Sequence, residues 1–100
     1  MAEPICVLWQ ARRTAAWYEL SDEEASELLA KDSQSIKALG GRNLITCDSR
    51  GSSAPSEWFG IDEFPSHEAH LAHIEGLERY HLFRYWECQF TVANRVETEG

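Results

Sequence analysis

The sequence lacks any apolar run of the roughly 20 residues that a membrane-spanning helix requires. It is also poor in positive charge, because nine Lys and Arg residues stand against 17 Asp and Glu residues, giving a net charge of -8. The basic residues are scattered, and Arg12 and Arg13 form the single adjacent pair. Proteins that bind nucleic acid or anionic membrane surfaces normally carry a basic patch. The sequence therefore argues against both kinds of partner.

Cysteine is scarce, and its spacing argues against a disulfide framework or a metal site built from cysteines. Cys6, Cys47 and Cys88 are odd in number, widely spaced and without a CxxC pair. We therefore expect no disulfide, no structural metal and no bound cofactor, and we place the protein in a reducing cytoplasm. The N-terminal stretch "MAEPICVLWQARR" has no positive region ahead of its apolar part, so we expect no signal peptide.

What the sequence does contain fits one small globular domain. Hydrophobic residues make up 43% and charged residues 26% of the chain, which is a composition typical of folded rather than disordered proteins. The length predicts a single α+β domain over residues 1–100, with an ordered core over about residues 4–94.

Residue patterns predict the order strand, helix, strand, strand, helix, strand. The first helix has both ends marked, since Ser21 and Glu24 form a capping box and Gly40 and Gly41 follow it. Its weak segment "KDSQS" leaves open a break near Ser33. The predicted ranges are strands at 4–11, 42–49, 57–64 and 81–93, and helices at 21–39 and 67–78.

This order is that of a ferredoxin-like βαββαβ fold, with a four-stranded antiparallel sheet and both helices on one face. The strands carry apolar residues on both faces: Ile5, Val7 and Trp9 oppose Cys6 and Leu8 in the first strand. In the third, Phe59 and Ile61 oppose Trp58 and Phe64. In the fourth, Trp86, Cys88, Phe90 and Val92 oppose Phe83 and Tyr85.

A sheet with two apolar faces needs a second cover besides its helices, and a symmetric partner can supply it. We therefore predict a homodimer formed through the sheet face that the helices leave open. The alternative is one solvent-facing surface with a few exposed aromatic residues.

The stretches "CVLWQARRTAAWYELSDEEASELL" and "LFRYWECQFTV" resemble the dimeric α+β barrel superfamily and, within it, the darcynin-like proteins. The resemblance spans about residues 5–92. It implies two ferredoxin-like subunits packed sheet to sheet. The superfamily includes cofactor-free monooxygenases, haem-binding proteins and lactone isomerases, whereas the darcynin-like group has no function to transfer.

All four histidines lie in the stretch from Glu57 to Glu87. At helical spacing, His67 and His70 fall on the same face as Leu71, Ile74 and Leu77, with His73 at its edge. Three interpretations are open: hydrogen-bonded structural histidines, a cleft in which His67 or His70 shuttles protons or anchors a ligand or haem, and a metal site. Histidines at successive i, i+3 steps drift around a helix, which argues against one shared ion.

Asp32 is a second anomaly, because it falls on the apolar face of the first helix, where a carboxylate needs a partner. A histidine on the facing helix could form a His–Asp pair with it. Alternatively, a helix break before Ser33 would leave Asp32 in water.

Aromatic residues complete the candidate site. We expect Trp9, Trp58 and Tyr85 to be core or dimer-interface residues or, together with His70, the walls of a pocket for a flat apolar ligand. The mid-strand Gly60 indicates close approach of a ligand or of another backbone, or a bulge.

The sequence thus favours a small homodimer that binds an apolar or aromatic molecule in a cleft between helices and sheet. The alternative is a cofactor-independent monooxygenase or isomerase with His67, His70 and Asp32 as catalytic candidates, or a haem-binding protein. Whether the chain is an enzyme stays open.

Overall fold

A computed structural model describes residues 3–96. A 3-10 helix (Ala15–Glu19) links the first strand to the first helix. The other elements, in chain order, are β1 (Ile5–Arg13), α1 (Asp22–Ala38), β2 (Arg42–Asp48), β3 (Trp58–Phe64), α2 (His67–Arg79), α3 (Leu82–Tyr85) and β4 (Trp86–Asn94).

The four strands form one sheet in the order β2-β3-β1-β4. Every pair of neighbours is antiparallel, and β1 lies between β3 and β4. A β-bulge at Leu44 shifts the register between β2 and β3. The strand order, together with α1 and α2 packed on one face, is the ferredoxin-like arrangement. The predicted fold class is therefore confirmed.

Helix α1 begins where the sequence marks it. The Ser21 side chain accepts from the Glu24 backbone N–H, and the Glu24 carboxylate accepts from the Ser21 N–H. The helix runs unbroken through Ser33 to Ala38, so the break considered near Ser33 does not occur. Leu28 and Ile36 pack into the core on either side of this segment. Tertiary packing of this kind outweighs a weak local propensity.

The fourth strand is shorter than the sequence pattern predicts. It begins at Trp86, and the residues before it form a turn and the short helix α3. His81 takes a left-handed conformation with φ of 59° at the start of this turn. This turn and the short helix bring Leu82 into a buried cluster with Leu28 and Leu77. Burial of Leu82 is the physical reason that a helical turn replaces the predicted start of the strand.

The core between helices and sheet is divided into two clusters. Ile5, Val7 and Phe64 form one of them, with Ile36 and Ala69 packed against it. The second contains Leu28, Leu77 and Leu82. Phe90 of β4 contacts both clusters. The division matters because a cavity lies beside Phe90.

The other sheet face has no helix over it. Its centre is apolar, since Leu8, Ile61 and Ile45 are aligned across three strands. Leu8, Ile45 and Phe59 are exposed. The predicted two-faced pattern is thus confirmed for β1 and β3. In β4 it is wrong, because Phe83 and Tyr85 belong to α3, and the outer positions of that strand are polar residues such as Glu87 and Gln89.

The three cysteines are free thiols, and each lies in a strand. Over residues 3–96, no cluster of three or more His, Cys, Asp or Glu side chains has the geometry to hold a metal ion. Over the same range, no helix has the length and apolarity to cross a membrane.

Gly60 of β3 lies directly opposite Trp9 of β1 in the register. A Cβ atom at Gly60 would come within 2.5 Å of the Trp9 indole and would also clash with the Ile45 carbonyl. The close approach expected at this glycine is therefore that of the Trp9 ring and of the β2 backbone.

The substitution Gly60→Ala should accordingly lower the free energy of unfolding by about 1–3 kcal/mol, because the methyl group overpacks this position. Urea denaturation followed by far-UV circular dichroism measures the change. Gly51→Ala is the matched control, since a Cβ there meets no atom within 4 Å. Equal stability of the two variants would contradict this account of Gly60.

Candidate functional site

A cavity of about 330 Å³ lies between the helices and the sheet, and we call it the helix–sheet cleft. Residues of α1, α2, α3 and all four strands contribute to its walls. The apolar lining residues are Trp9, Ala11, Leu29, Ile36, Trp58, Leu77, Leu82, Trp86 and Phe90. The polar ones are Asp32, Ser33, Asn43, Thr46, Asp62, His73 and Cys88.

Indole rings dominate the apolar wall. Trp86 makes edge-to-face contacts with Trp58 at 5.4 Å and with Trp17 at 5.1 Å between ring centroids. The guanidinium groups of Arg13 and Arg50 each lie 4.7 Å from the Trp58 ring centroid. These contacts fix the rings, so the aromatic wall exists before any ligand arrives.

A row of three polar side chains, Ser35, His73 and Asp32, joins the two helices at the cleft. His73 Nε2 of α2 lies 3.2 Å from Asp32 Oδ1 of α1, and His73 Nδ1 lies 2.9 Å from Ser35 Oγ. The Ser35 hydroxyl and His73 Nδ1 are hydrogen-bonded, whereas the contact between His73 Nε2 and Asp32 is an ion-pair distance without hydrogen-bond geometry. The row places the Asp32 carboxylate beside the imidazole.

Asp62 of β3 is a second carboxylate in the cleft, and it is buried. Asn43 Nδ2 donates to its Oδ1 at 2.9 Å. Burial raises the pKa of Asp62 above its usual value, hydrogen bonds from Asn43 and Trp9 oppose that rise, and the nearby Asp32 adds to it. The two carboxylates therefore interact across the cleft.

Cys88 of β4 contributes a thiol to the wall. Burial, together with Asp32 and Glu87, raises the pKa of this thiol to about 12. A thiol that stays protonated at neutral pH is a poor nucleophile. Cys88 therefore acts as a small apolar wall residue.

His70 is buried without a hydrogen-bond partner. Its ring packs against Phe64 and Phe90 at 5.3 and 5.8 Å between centroids. Neither ring nitrogen has a partner among residues 3–96. Burial lowers the pKa of His70 below its ordinary value, and His73 and His67 add to the decrease. The expectation that this ring would be partnered or would line a wet cleft is wrong.

The structure brings some of the candidate residues to the cleft and not others. Asp32, Trp9 and Trp58 line it. His67 is exposed at the start of α2 and lines a separate groove near Ile5 and Val92. His70 is enclosed in the core beside the cleft, and Tyr85 ends α3 within the second core cluster. Of the residues described as lining the cleft, none is His67, His70 or Tyr85.

The phase of α2 explains these differences. Its buried residues are His70, His73, Gly76 and Leu77, whereas Leu71 is 52% exposed. The buried face is thus rotated toward Gly76, which lies against Ser35 of α1. This rotation brings His73, rather than His67 or His70, to Asp32. A Cβ at Gly76 would meet Ser35 at an ordinary contact distance of 3.6 Å, so the glycine is not required for the approach and is no signal of it.

The sequence gives weaker indications that Asp62 and Asn43 line the cleft. Asp62 alternates with Gly60 and Phe64 on the inner face of β3, a placement that the strand period could have indicated. Asn43 reaches the cleft beside the β2 bulge, and a bulge leaves no clear mark in the sequence.

Two solved structures share this fold. SnoaB, a cofactor-independent oxygenase from Streptomyces nogalater, has a TM-score of 0.53 and 12% sequence identity over 97% of each chain. A Thermotoga maritima protein proposed to act in thiamine biosynthesis or salvage has a TM-score of 0.50 and 14% identity, over 92% of this chain and 84% of its own. The sequence matches no protein-family profile and no curated protein.

Both structures match this chain over most of its length, which supports the predicted α+β fold. At 12–14% identity the likeness shows the fold alone, and proteins that share a fold can differ entirely in function.

Replacing His70 by leucine should raise the free energy of unfolding at neutral pH by about 1–3 kcal/mol, because it removes an unpaired polar group from the core. The substitution should also remove the part of the pH dependence of stability that His70 causes. In the unfolded chain the His70 imidazole binds a proton near pH 6.5, whereas its lowered pKa keeps it neutral in the folded state. The free energy of unfolding is therefore unaffected by this titration above pH 6.5. It decreases as pH falls from 6.5 toward the lower pKa of the folded state.

Urea titrations of wild type and His70→Leu between pH 7.5 and 5 measure this difference. His67→Leu is the control, because His67 is exposed, and it should keep the wild-type pH profile. If wild type and His70→Leu lost stability equally as the pH is lowered, protonation of His70 would not destabilise the folded state. That result would contradict the burial of the ring and its lowered pKa.

Proposed function

We propose that this protein binds a small, flat aromatic molecule in the helix–sheet cleft. The observation that carries the proposal is the composition of the walls: Trp9, Trp58, Trp86 and Phe90 surround about 330 Å³ together with a few polar groups. Concave sites that are mostly apolar, with a few convergent polar groups, are typical of small-molecule binding.

The volume is compatible with this proposal. About 330 Å³ falls in the range of about 300–1,000 Å³ that is typical of ligand pockets. The cleft is partly open to solvent, so water fills it when no ligand is bound. Its indole walls favour an aromatic ligand over water.

A second candidate function is a cofactor-independent oxygenase or isomerase, favoured by the Asp32–His73 pair at 3.2 Å. A carboxylate beside an imidazole can accept a proton from a ligand hydroxyl. The fold likeness to a cofactor-independent oxygenase is compatible with this chemistry. Dioxygen uptake with a bound phenolic probe such as 1,5-dihydroxynaphthalene would distinguish the enzyme from a binding protein.

Haem binding has less support. His73 is the histidine that lines the cleft; its Nδ1 is hydrogen-bonded to Ser35, and the Asp32 carboxylate lies 3.2 Å from its Nε2. His70 is enclosed by Phe64 and Phe90. An axial haem ligand needs a free imidazole nitrogen in the cavity, and the described lining residues do not offer one.

We also propose that the protein is a homodimer whose subunits pair through the open sheet face. The aligned Leu8, Ile61 and Ile45, with Phe59 beside them, would form the centre of a self-complementary surface. The sequence resemblance to the dimeric α+β barrel superfamily supports this arrangement. The darcynin-like relationship remains part of the proposal, and the three free thiols favour the reducing cytoplasm as its location.

The neutral dye N-phenyl-1-naphthylamine should bind with enhanced fluorescence, and Leu29→Phe should weaken binding by about tenfold or more by filling the cleft. Leu29 lines the cleft and is 45% exposed, so the larger ring can be accommodated without unfolding the protein. Leu71→Phe is the matched control, because Leu71 is 52% exposed on α2 and lies outside the cleft lining. Equal loss in both variants would place the dye elsewhere.

Sedimentation equilibrium at micromolar concentration should give twice the subunit mass of 11.4 kDa. Leu8→Glu should shift the protein to monomer, because it places a carboxylate at the centre of the proposed interface. Leu71→Glu, an equal change on the outer side of α2, should leave the dimer intact. A monomeric wild type, or a dimer that Leu8→Glu leaves unchanged, would contradict pairing through the sheet.

A further inference from the structure

The ionisable side chains of the helix–sheet cleft are mainly acidic. Asp32 and Asp62 line it together with His73 and the protonated thiol of Cys88. Among the described lining residues there is no lysine or arginine. A ligand with a carboxylate or phosphate group would therefore enter against two carboxylates with no fixed cation to receive it.

The two guanidinium groups that contact Trp58 do not reverse this balance. Arg13 and Arg50 contact the ring of Trp58, but each is already paired. Arg13 Nη2 lies 2.9 Å from Glu57 Oε2, and Arg50 Nη2 lies 2.7 Å from Asp48 Oδ2. Each pair is neutral as a unit, so neither offers an unshared positive charge to the cleft.

The two cleft carboxylates add negative charge to one cavity, because both line it. Burial is the main cause of the raised pKa of Asp62; Asp32 adds to the rise and His73 opposes it. Like charges in a partly desolvated cavity repel more strongly than they do in water. A positively charged ligand in the cleft would reduce this repulsion.

Asp32 is the member of the Ser35–His73–Asp32 row that a ligand can reach. Its side chain is 34% exposed, while His73 behind it is almost fully buried. One carboxylate oxygen lies 3.2 Å from His73 Nε2, and the carboxylate keeps acceptor positions for a ligand donor. Because the Trp58 ring already contacts two guanidinium groups, Trp9 and Trp86 are the indoles of this wall left to attract a cation through their π systems.

We infer that the ligand of the helix–sheet cleft is a flat, nitrogen-containing aromatic molecule with a positive charge, recognised by Asp32 and the tryptophan wall. This inference rests on the proposed binding function and adds the charge of the ligand to it. The ring stacks on the indoles, and its charge lies near Asp32, with Asp62 on the sheet side.

Three probes of one shape and different charge test the inference: 1-methylquinolinium, 1-methylnaphthalene and 1-naphthoate. Displacement of N-phenyl-1-naphthylamine from the wild-type protein gives their affinities. The cation should bind at least about tenfold more tightly than the anion, with the neutral hydrocarbon between them. High salt should reduce the difference.

Asp32→Asn should reduce the preference for the cation while leaving the affinity for 1-methylnaphthalene unchanged. Glu27→Gln is the control, because it removes one negative charge from an exposed position of α1. It should preserve the preference for the cation. Unchanged binding of the neutral probe shows that Asp32→Asn is folded.

The outcomes separate the two proposals. If the dye and all three probes fail to bind, the proposed binding function is wrong. If the neutral probe binds but the affinity for the anion equals or exceeds the affinity for the cation, the cleft binds aromatic molecules and the inference about charge is wrong. An equal loss of cation preference in Asp32→Asn and Glu27→Gln would show a general charge effect and overturn the role of Asp32.

Discussion

The contact between Asp32 of α1 and His73 of α2 is the constraint on which the arrangement of the helices depends. Interlocked leucines would normally close the space between two helices and the sheet beneath them. Here the row of Ser35, His73 and Asp32 occupies the junction in place of interlocking apolar side chains. The hydrophobic core is therefore divided into two clusters, and the cleft remains open beside them.

Two histidines on the same face of α2 have opposite environments. His70 and His73 are 4% and 3% exposed, respectively. His73 bonds Ser35 through one ring nitrogen and lies 3.2 Å from Asp32 with the other, whereas neither nitrogen of His70 has a partner within residues 3–96. His70 is packed between Phe64 and Phe90. The first joins two elements, and we expect the second to lower stability. Burial alone therefore does not identify a functional histidine, because the partners of the ring decide its role.

The sequence predicted the fold well because its signals were local. The capping box at Ser21, the glycines after α1 and the alternation in β1 and β3 each act within a few residues. The site depended on contacts between elements. Asp32 was recognised as an anomaly, but its partner depends on the rotation of α2 about its axis, which packing against the other elements sets. The period of apolar residues gave the wrong rotation because Leu71 is exposed. The start of β4 was misplaced for a similar reason, since Leu82 is drawn into a cluster formed by both helices.

The central position of β1 has a consequence for how the chain folds. Ile5 pairs with Asn94 on one side and with Phe64 on the other. Contacts between residues so distant in sequence form slowly, because the intervening chain must lose much of its freedom first. During synthesis, β1 can pair with β3 and the two helices can form. The edge of β1 that faces β4 stays unpaired until β4 has left the ribosome. Trp86, Cys88 and Phe90 arrive with that last strand, so the cleft is completed at the end of folding.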